Sequence, residues 1–223
     1  MTSDGGRAKR SKEFKYPSSL ITGALRALGV TVSKLCWFIR YRGLKNIPKG
    51  NESFILVSNH PTYLDPMWVS IPVHRDLRFM AWDHAFEWAV IGKVIRYLGA
   101  FPVKTDGNVS KSAIVESIRT LRSGGVLVIF PEGEREFAEG KLLEFKPGAL
   151  HIAVNAGVPV LPVSISGGNR VWPQGKRFPH LFRKITVTYH PALDLARCPR
   201  GVELDDHLEK LNRELIKTIA SAL

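Results

Sequence analysis

Residues 54–66 read Phe54-Ile55-Leu56-Val57-Ser58-Asn59-His60-Pro61-Thr62-Tyr63-Leu64-Asp65-Pro66. The opening Phe-Ile-Leu-Val is a short continuous apolar run, the pattern of a strand buried on both faces. Polar residues follow at once, with a histidine five positions before an aspartate. On a straight helix that spacing would set the two side chains about 140° apart. Pro66 disfavours helical geometry at Asp65 and suits the first position of a helix. Asp65 is therefore expected to be a helix N-cap, with residues 60–64 forming a loop that curls His60 back toward it. A neutral imidazole takes a proton from a hydroxyl when a carboxylate holds its other ring nitrogen. The same residues also fit a plain cap and a turn histidine with no chemistry attached.

Seventy residues on, the pattern recurs. Val126-Leu127-Val128-Ile129-Phe130 reads as a buried strand, followed by Pro131-Glu132-Gly133-Glu134-Arg135. A guanidinium such as Arg135 binds phosphate through a planar fork, and Glu132 has the chemistry to orient it or to accept from a substrate hydroxyl. A local surface ion pair is the plainer alternative. Two strand ends bearing acid–base or charged residues predict one active-site rim.

The remaining elements alternate. Strands are expected at 77–82, 101–104, 158–165 and 185–189, and helices from about 66, over 85–98, 110–121, 147–156 and 204–222. Short apolar runs alternating with helical patterns predict an α/β fold with a mostly parallel central sheet flanked by helices. Ligands in such sheets gather beyond the carboxyl ends of the strands.

The N-terminal part differs. Residues 1–45 hold ten Lys/Arg against Asp4 and Glu13, which is +8 of a formal net charge of +12 over 223 residues. Such a segment seeks polyanions, nucleic acid or anionic lipid. Ser18–Tyr41 carries an apolar stripe (Leu20, Ile21, Ala24, Leu25, Leu28) and a Trp37/Phe38/Ile39 cluster edged by Arg40 and Arg42. Gly29 and the β-branched Val30-Thr31-Val32 predict two helical pieces rather than one. Basic flanks with an aromatic cluster suit an amphipathic helical segment lying in a lipid interface, although packing on the protein's own core is the common fate of such stripes. Residues 1–16 are expected to be a basic flexible tail, 17–42 amphipathic membrane-associating helices, and 43–223 the domain that carries the chemistry. No signal-peptide pattern and no membrane span are expected. Cys36 and Cys198 lie too far apart to suggest a disulfide framework or metal ligation, which fits a reducing cytoplasmic setting.

Four blocks then fall into a known order. Gly43-Leu44-Lys45-Asn46-Ile47-Pro48 leads to the His60…Asp65 stretch; Gly99-Ala100-Phe101-Pro102-Val103, Phe130-Pro131-Glu132-Gly133 with Arg135, and Val158-Pro159-Val160-Leu161-Pro162-Val163 follow. Over roughly residues 41–192 the chain resembles the glycerolipid acyltransferases, the 1-acylglycerol-3-phosphate acyltransferases and their lysophospholipid relatives. The resemblance implies that His60 and Asp65 are catalytic, His60 as general base and Asp65 as its orienter. It implies that Glu132, Gly133 and Arg135 bind substrate. The acyl donor would be a thioester, acyl-CoA or acyl carrier protein, with no other cofactor and no metal. The acceptor would be a lysophospholipid, above all 1-acylglycerol-3-phosphate, giving phosphatidate, with Lys104 as a further substrate-binding residue, and the setting the cytoplasmic face of a membrane, held peripherally or monotopically through residues 1–42, without nucleic acid.

The chain departs from the family's pattern at three places. No arginine ends the second block, where Lys104 stands instead; residues 80–83 read Met-Ala-Trp-Asp without the usual lysine; and Glu134 occupies the place of a threonine. These departures leave open an acceptor without a phosphomonoester. A hydrolase sharing the same pair, and a basic binding module with a vestigial pair, are the competing functions. His84 with Glu87 lacks a third metal ligand. Gly167-Gly168-Asn169 lacks the lysine of a phosphate-binding loop. The tryptophans read as core or interface residues.

Overall fold

The computed structural model describes residues 14–103, 110–135, 140–173, 175–193, 195 and 203–223. Helix α1 (Ser19–Trp37) leads into strand β1 (Arg40–Arg42) and the central strand β2 (Phe54–Ser58). Then come α2 (Asp65–Ser70), β3 (Leu77–Trp82), α3 (Ile91–Tyr97), β4 (Ala100–Val103), α4 (Lys111–Arg122), β5 (Val126–Ile129), α5 (Gly148–Ala156), β6 (Val160–Ser166), β7 (Thr186–Tyr189) and α6 (Leu204–Ala220). The seven strands form one sheet in the order β1-β7-β6-β2-β5-β3-β4. Every pairing is parallel except β6 with β7. The mostly parallel α/β sheet read from the sequence is the observed fold.

The apolar runs form strands because the sheet is covered on both faces. Along β2, Phe54 and Leu56 join one core with Trp37, Trp68 and Val128. Ile55 and Val57 join the other with Leu127, Phe145, Leu150, Leu215 and Ile219. Helices α1 and α2 thus cover one face, and α4, α5 and α6 the other. Fully burying each such side chain contributes about 1.5–3 kcal/mol, so the middle strands are the most firmly held part of the molecule.

Two local expectations are corrected. First, residues 19–37 form one helix rather than two pieces, and the chain then turns into a strand at Arg40–Arg42 instead of remaining helical to residue 42. Gly29 does not break the helix because it is the contact point with α2: a Cβ there would sit 3.3 Å from Ile71 Cδ1. One turn further on, the buried Ser33 hydroxyl accepts from Trp68 Nε1 at 3.2 Å. Tertiary packing has overridden propensity. Second, the single helix expected over 85–98 is a 3-10 turn at Asp83–Phe86 followed by the shorter α3. By length and composition alone α1, at 19 residues, is long and apolar enough to cross a bilayer. One side of α1 is nevertheless docked on the domain through Gly29, Ser33 and Trp37.

Candidate active site

The site lies where β2 ends. Strand β2 runs between β5 and β6, so the residues following these three parallel strands meet at one edge although they are scattered along the chain. Asn59 fastens β2 to β6: its Nδ2 donates to the Ile165 carbonyl at 3.0 Å and its Oδ1 accepts from the Ile165 amide at 2.8 Å. Glu132 fastens it to β5 from the other side. Its carboxylate accepts from the His60 amide at 2.8 Å and from the Leu143 amide at 3.1 Å. His60 is thus held through its own backbone.

Its side chain meets Asp65 as the spacing predicts. Nδ1 lies 2.8 Å from Asp65 Oδ2, with the imidazole 18% exposed and the carboxylate fully buried. The pair is not held in the way expected. Asp65 is the first residue of α2 and makes no N-cap bond. Its oxygens turn back into the loop instead, Oδ2 accepting from the Thr62 amide at 2.6 Å and Oδ1 from the Thr62 hydroxyl at 2.9 Å. Thr62 Oγ1 in turn accepts from the Leu64 amide at 2.8 Å, closing a tight loop around the carboxylate. Burial pushes the Asp65 carboxyl upward, and the donors on His60 and Thr62 pull against that shift. With Nδ1 engaged, Nε2 is the ring nitrogen left to accept a proton.

Phe130 stacks on the imidazole, with ring centroids 4.2 Å apart at 21°. On the opposite strand end Gly168 packs so closely that a Cβ would lie 2.5 Å from Pro61 Cγ. The loop bearing His60 is therefore fixed from both sides.

Of the other expected site residues, Gly133 sits in the left-handed region at φ 73°, a conformation glycine adopts without steric cost, with the Lys146 side chain laid against it. The Arg135 guanidinium lies 3.1 Å from the centroid of the Tyr63 ring. Burial pushes the pKa of Arg135 down, while the charges of Tyr63 and Asp65 and a hydrogen bond to Tyr63 oppose this. Tyr63 also meets Trp172 at 5.2 Å and Trp88 at 6.5 Å between centroids, so the mouth of the site is aromatic. Lys104 lies outside the described residues. Glu132, expected at the substrate, lines the cavity beside Pro61 while its carboxylate accepts from two backbone amides.

A cavity of about 310 Å³ opens beside Pro61, lined among others by Asn59, Glu132, Lys141, Ser166 and Arg170. A larger hollow of about 550 Å³ against Val115, Ile118 and Arg122 of α4 touches none of the dyad residues. His84 pairs with Glu87 at 3.2 Å on the surface, and no cluster of three potential metal-ligating side chains occurs among the described residues.

Asn59, Thr62 and Phe130 hold places in the site that the sequence does not reveal. The only signal for Asn59 was a polar residue closing a wholly apolar strand. Thr62 gave none beyond its place between the pair.

A mostly parallel α/β sheet with a His–carboxylate dyad at the end of its central strand defines the class. The family model described as Acyltransferase matches residues 38–166, more than half of the chain, and the chain belongs to that family. It is 30% identical to the chloroplastic 1-acyl-sn-glycerol-3-phosphate acyltransferase BAT2 of Brassica napus, over 60% of this chain and 39% of that protein. It is 29% identical to the 1-acyl-sn-glycerol-3-phosphate acyltransferase of Streptococcus pneumoniae, over 85% of this chain and 66% of that protein. Among solved structures it resembles the 1-acyl-sn-glycerophosphate acyltransferase PlsC of Thermotoga maritima, with 29% identity and a TM-score of 0.69, covering 91% of this chain and 79% of that one. The chain spans less than half the length of the plant and algal relatives that it matches.

Proposed function

We propose that this chain is an O-acyltransferase that moves a fatty acyl group from a thioester, acyl-CoA or acyl carrier protein, to the hydroxyl of 1-acylglycerol-3-phosphate, giving phosphatidate. One observation carries the reading: His60 Nδ1 lies 2.8 Å from Asp65 Oδ2, on a loop anchored to both neighbouring strands. Family membership and the named activities of the relatives support the same reaction.

In the step so inferred, His60 Nε2 takes the proton of the acceptor hydroxyl as its oxygen attacks the thioester carbonyl. The tetrahedral intermediate then expels the thiolate, which recovers the proton from the imidazolium. Asp65 fixes the tautomer and balances the charge that develops on the ring. General-base help of this kind contributes about 10²–10⁴-fold, and holding acceptor and thioester together supplies much of the remainder. Arg135, beside Tyr63 at the mouth, is the candidate for the acceptor's phosphate. The cavity beside Pro61 offers room for the glycerol and headgroup.

The acceptor is a membrane lipid, and α1 is built to meet a membrane. Leu20, Leu28 and Leu35 are exposed on the side away from the docked Gly29, Ser33 and Trp37. Docking on one side and apolar exposure on the other suit a helix lying in the interface, peripheral or monotopic.

The test is thioester consumption with lysophosphatidate in vesicles, comparing the wild type with His60→Ala. Phosphatidate formation that falls by about 10²–10⁴-fold is expected. Equal turnover by the variant removes His60 as the base. Free fatty acid formed without acceptor would identify a hydrolase. A preference for a lysolipid without a free phosphate would move the acceptor away from lysophosphatidate.

A further inference from the structure

Two exposed phenylalanines hold backbone conformations that bulky residues rarely adopt. Phe38 has φ 46° and Phe182 φ 59°, and among the described residues they are the non-glycine positions with positive φ. Their rings lie 6.2 Å apart. The fold enforces this meeting. The Phe182 amide donates to the Cys36 carbonyl at 2.6 Å, the Ile185 amide to the Trp37 carbonyl at 3.2 Å, and Trp37 Nε1 to the His180 carbonyl at 2.9 Å. Backbone strain of this sort persists only where the surroundings over-determine it, and it concentrates at functional places. Here the strained residues are turned toward water, Phe182 67% and Phe38 48% exposed, and Phe178 and Leu181 are exposed beside Phe182 in sequence.

A collar of cations surrounds this apolar knob. Lys34 and Arg40 flank Phe38, while Lys176, Arg177, Arg183 and Lys184 flank Phe178 and Phe182, and all six are exposed. No Asp or Glu occurs in residues 14–51 or in residues 145–193, the two stretches that meet here. Duplex nucleic acid would use the cations and leave the rings in water. An anionic bilayer takes both, phosphates against the cations and the acyl boundary against the rings. The knob is also coupled to the dyad. A Cβ on Gly167 would lie 2.5 Å from the Lys184 carbonyl oxygen, the next residue Gly168 packs on Pro61, and Trp172 meets Tyr63.

We propose that Phe178, Leu181 and Phe182, with Lys176, Arg177, Arg183 and Lys184, form a second lipid-docking wedge that seats the catalytic rim on an anionic bilayer, separately from the outer face of α1. Its purpose rests on the reading of a membrane-borne acceptor, but its existence does not.

The experiment measures partitioning of the full chain onto phosphatidylcholine vesicles with and without phosphatidylglycerol, in the absence of substrate. It compares Phe178→Ser/Phe182→Ser with Lys176→Ala/Arg177→Ala/Arg183→Ala/Lys184→Ala. A cation near an anionic surface contributes about fivefold, so the four-cation variant should lose at least tenfold in affinity for anionic vesicles and much of the salt dependence. The phenylalanine variant should lose roughly tenfold on both vesicle types, since its insertion term is apolar. Turnover of a water-soluble short-chain acceptor should be unchanged in both, while turnover of a vesicle-borne acceptor falls with binding. Phe182→Asn with Phe178→Ser is the companion variant, because asparagine tolerates positive φ and keeps the turn should serine unfold it. Unchanged partitioning by the folded variants overturns the wedge and leaves α1 as the docking surface. Tighter binding to duplex DNA than to anionic vesicles, lost with the cations and indifferent to the rings, overturns it in favour of nucleic acid. Absence of turnover in the wild type would count against the acyl-transfer reading alone, since partitioning is read without it.

Discussion

Asp65→Asn separates the two tasks assigned to the dyad's carboxylate. The side chain is fully buried, with Oδ2 facing His60 Nδ1 at 2.8 Å and the Thr62 amide at 2.6 Å, and Oδ1 facing the Thr62 hydroxyl. An amide oxygen in the Oδ2 place keeps both acceptor contacts, and the amide nitrogen in the Oδ1 place donates to Thr62 Oγ1 once that hydroxyl proton turns away. The geometry and the tautomer survive, and only the negative charge is lost. Two unit charges about 4 Å apart at an effective dielectric of about 20 attract by roughly 4 kcal/mol. If half to all of the imidazolium charge has developed at the transition state, about 2–4 kcal/mol is forfeited, or roughly thirtyfold to a thousandfold in kcat. Stability should respond differently. Burial raises the folded-state pKa of Asp65, so the folded protein binds a proton that the unfolded chain has released. Wild-type stability then falls as pH rises from the unfolded carboxyl's range toward the raised folded value. The uncharged variant lacks that slope and should gain on the wild type over the same window. Steady-state turnover and urea denaturation across that pH range check both arms. A variant that keeps kcat within about threefold while folding normally refutes the electrostatic role. A variant that unfolds shows that the carboxylate's hydrogen bonds outweigh its burial.

Glu132→Gln should cost stability by about 1–3 kcal/mol, because one amide acceptor becomes a donor facing a backbone N–H; a fall in kcat alongside the urea midpoint, without a rise in the acceptor KM, would mark a brace rather than a substrate ligand. Gly168→Ala should push Pro61 and destabilise by roughly 1–3 kcal/mol, and a Tm equal to wild type would show that the dyad loop yields freely. Arg135→Lys should raise the KM for lysophosphatidate about tenfold with little change for an acceptor lacking phosphate, since lysine loses the planar fork and the stacking on Tyr63; an equal rise for both acceptors would assign Arg135 to the architecture of the mouth.

The sheet was legible because its strands announce themselves. Phe54–Val57 and Val126–Ile129 are apolar without interruption, which only burial on both faces explains. The dyad was legible from a spacing that no helix satisfies and a proline that forces a loop. What escaped was decided by partners distant in sequence. Gly29 reads as a helix breaker until Ile71 is found against it. Asp65 reads as a cap until Thr62 is seen turning its donors toward it. Glu132 reads as a residue of the rim, and it does line the Pro61 cavity, but its bonds to the amides of His60 and Leu143 are not visible in the sequence. Edge strand β1 escaped because three residues rich in arginine carry no apolar run.

The separation of these blocks along the chain follows from the sheet. In the order β6-β2-β5 the central strand has two neighbours that arrive later in sequence, each after a crossover. A histidine at the end of β2 therefore borrows its rigidity from residues about 70 and 100 positions away, through Glu132 on one side and the Ile165 backbone on the other. Both braces set the backbone from which the imidazole projects. A base that must meet a hydroxyl within hydrogen-bonding distance tolerates little wandering, and a side chain on a loop is precise only when its main chain is held. The His60–Asp65 contact accordingly depends on pairing across three strands. Substitutions at Asn59 or Glu132 should lower kcat through loss of that register even where the imidazole and its carboxylate are untouched, and turnover measured on such variants at matched folded fraction is the reading that decides it.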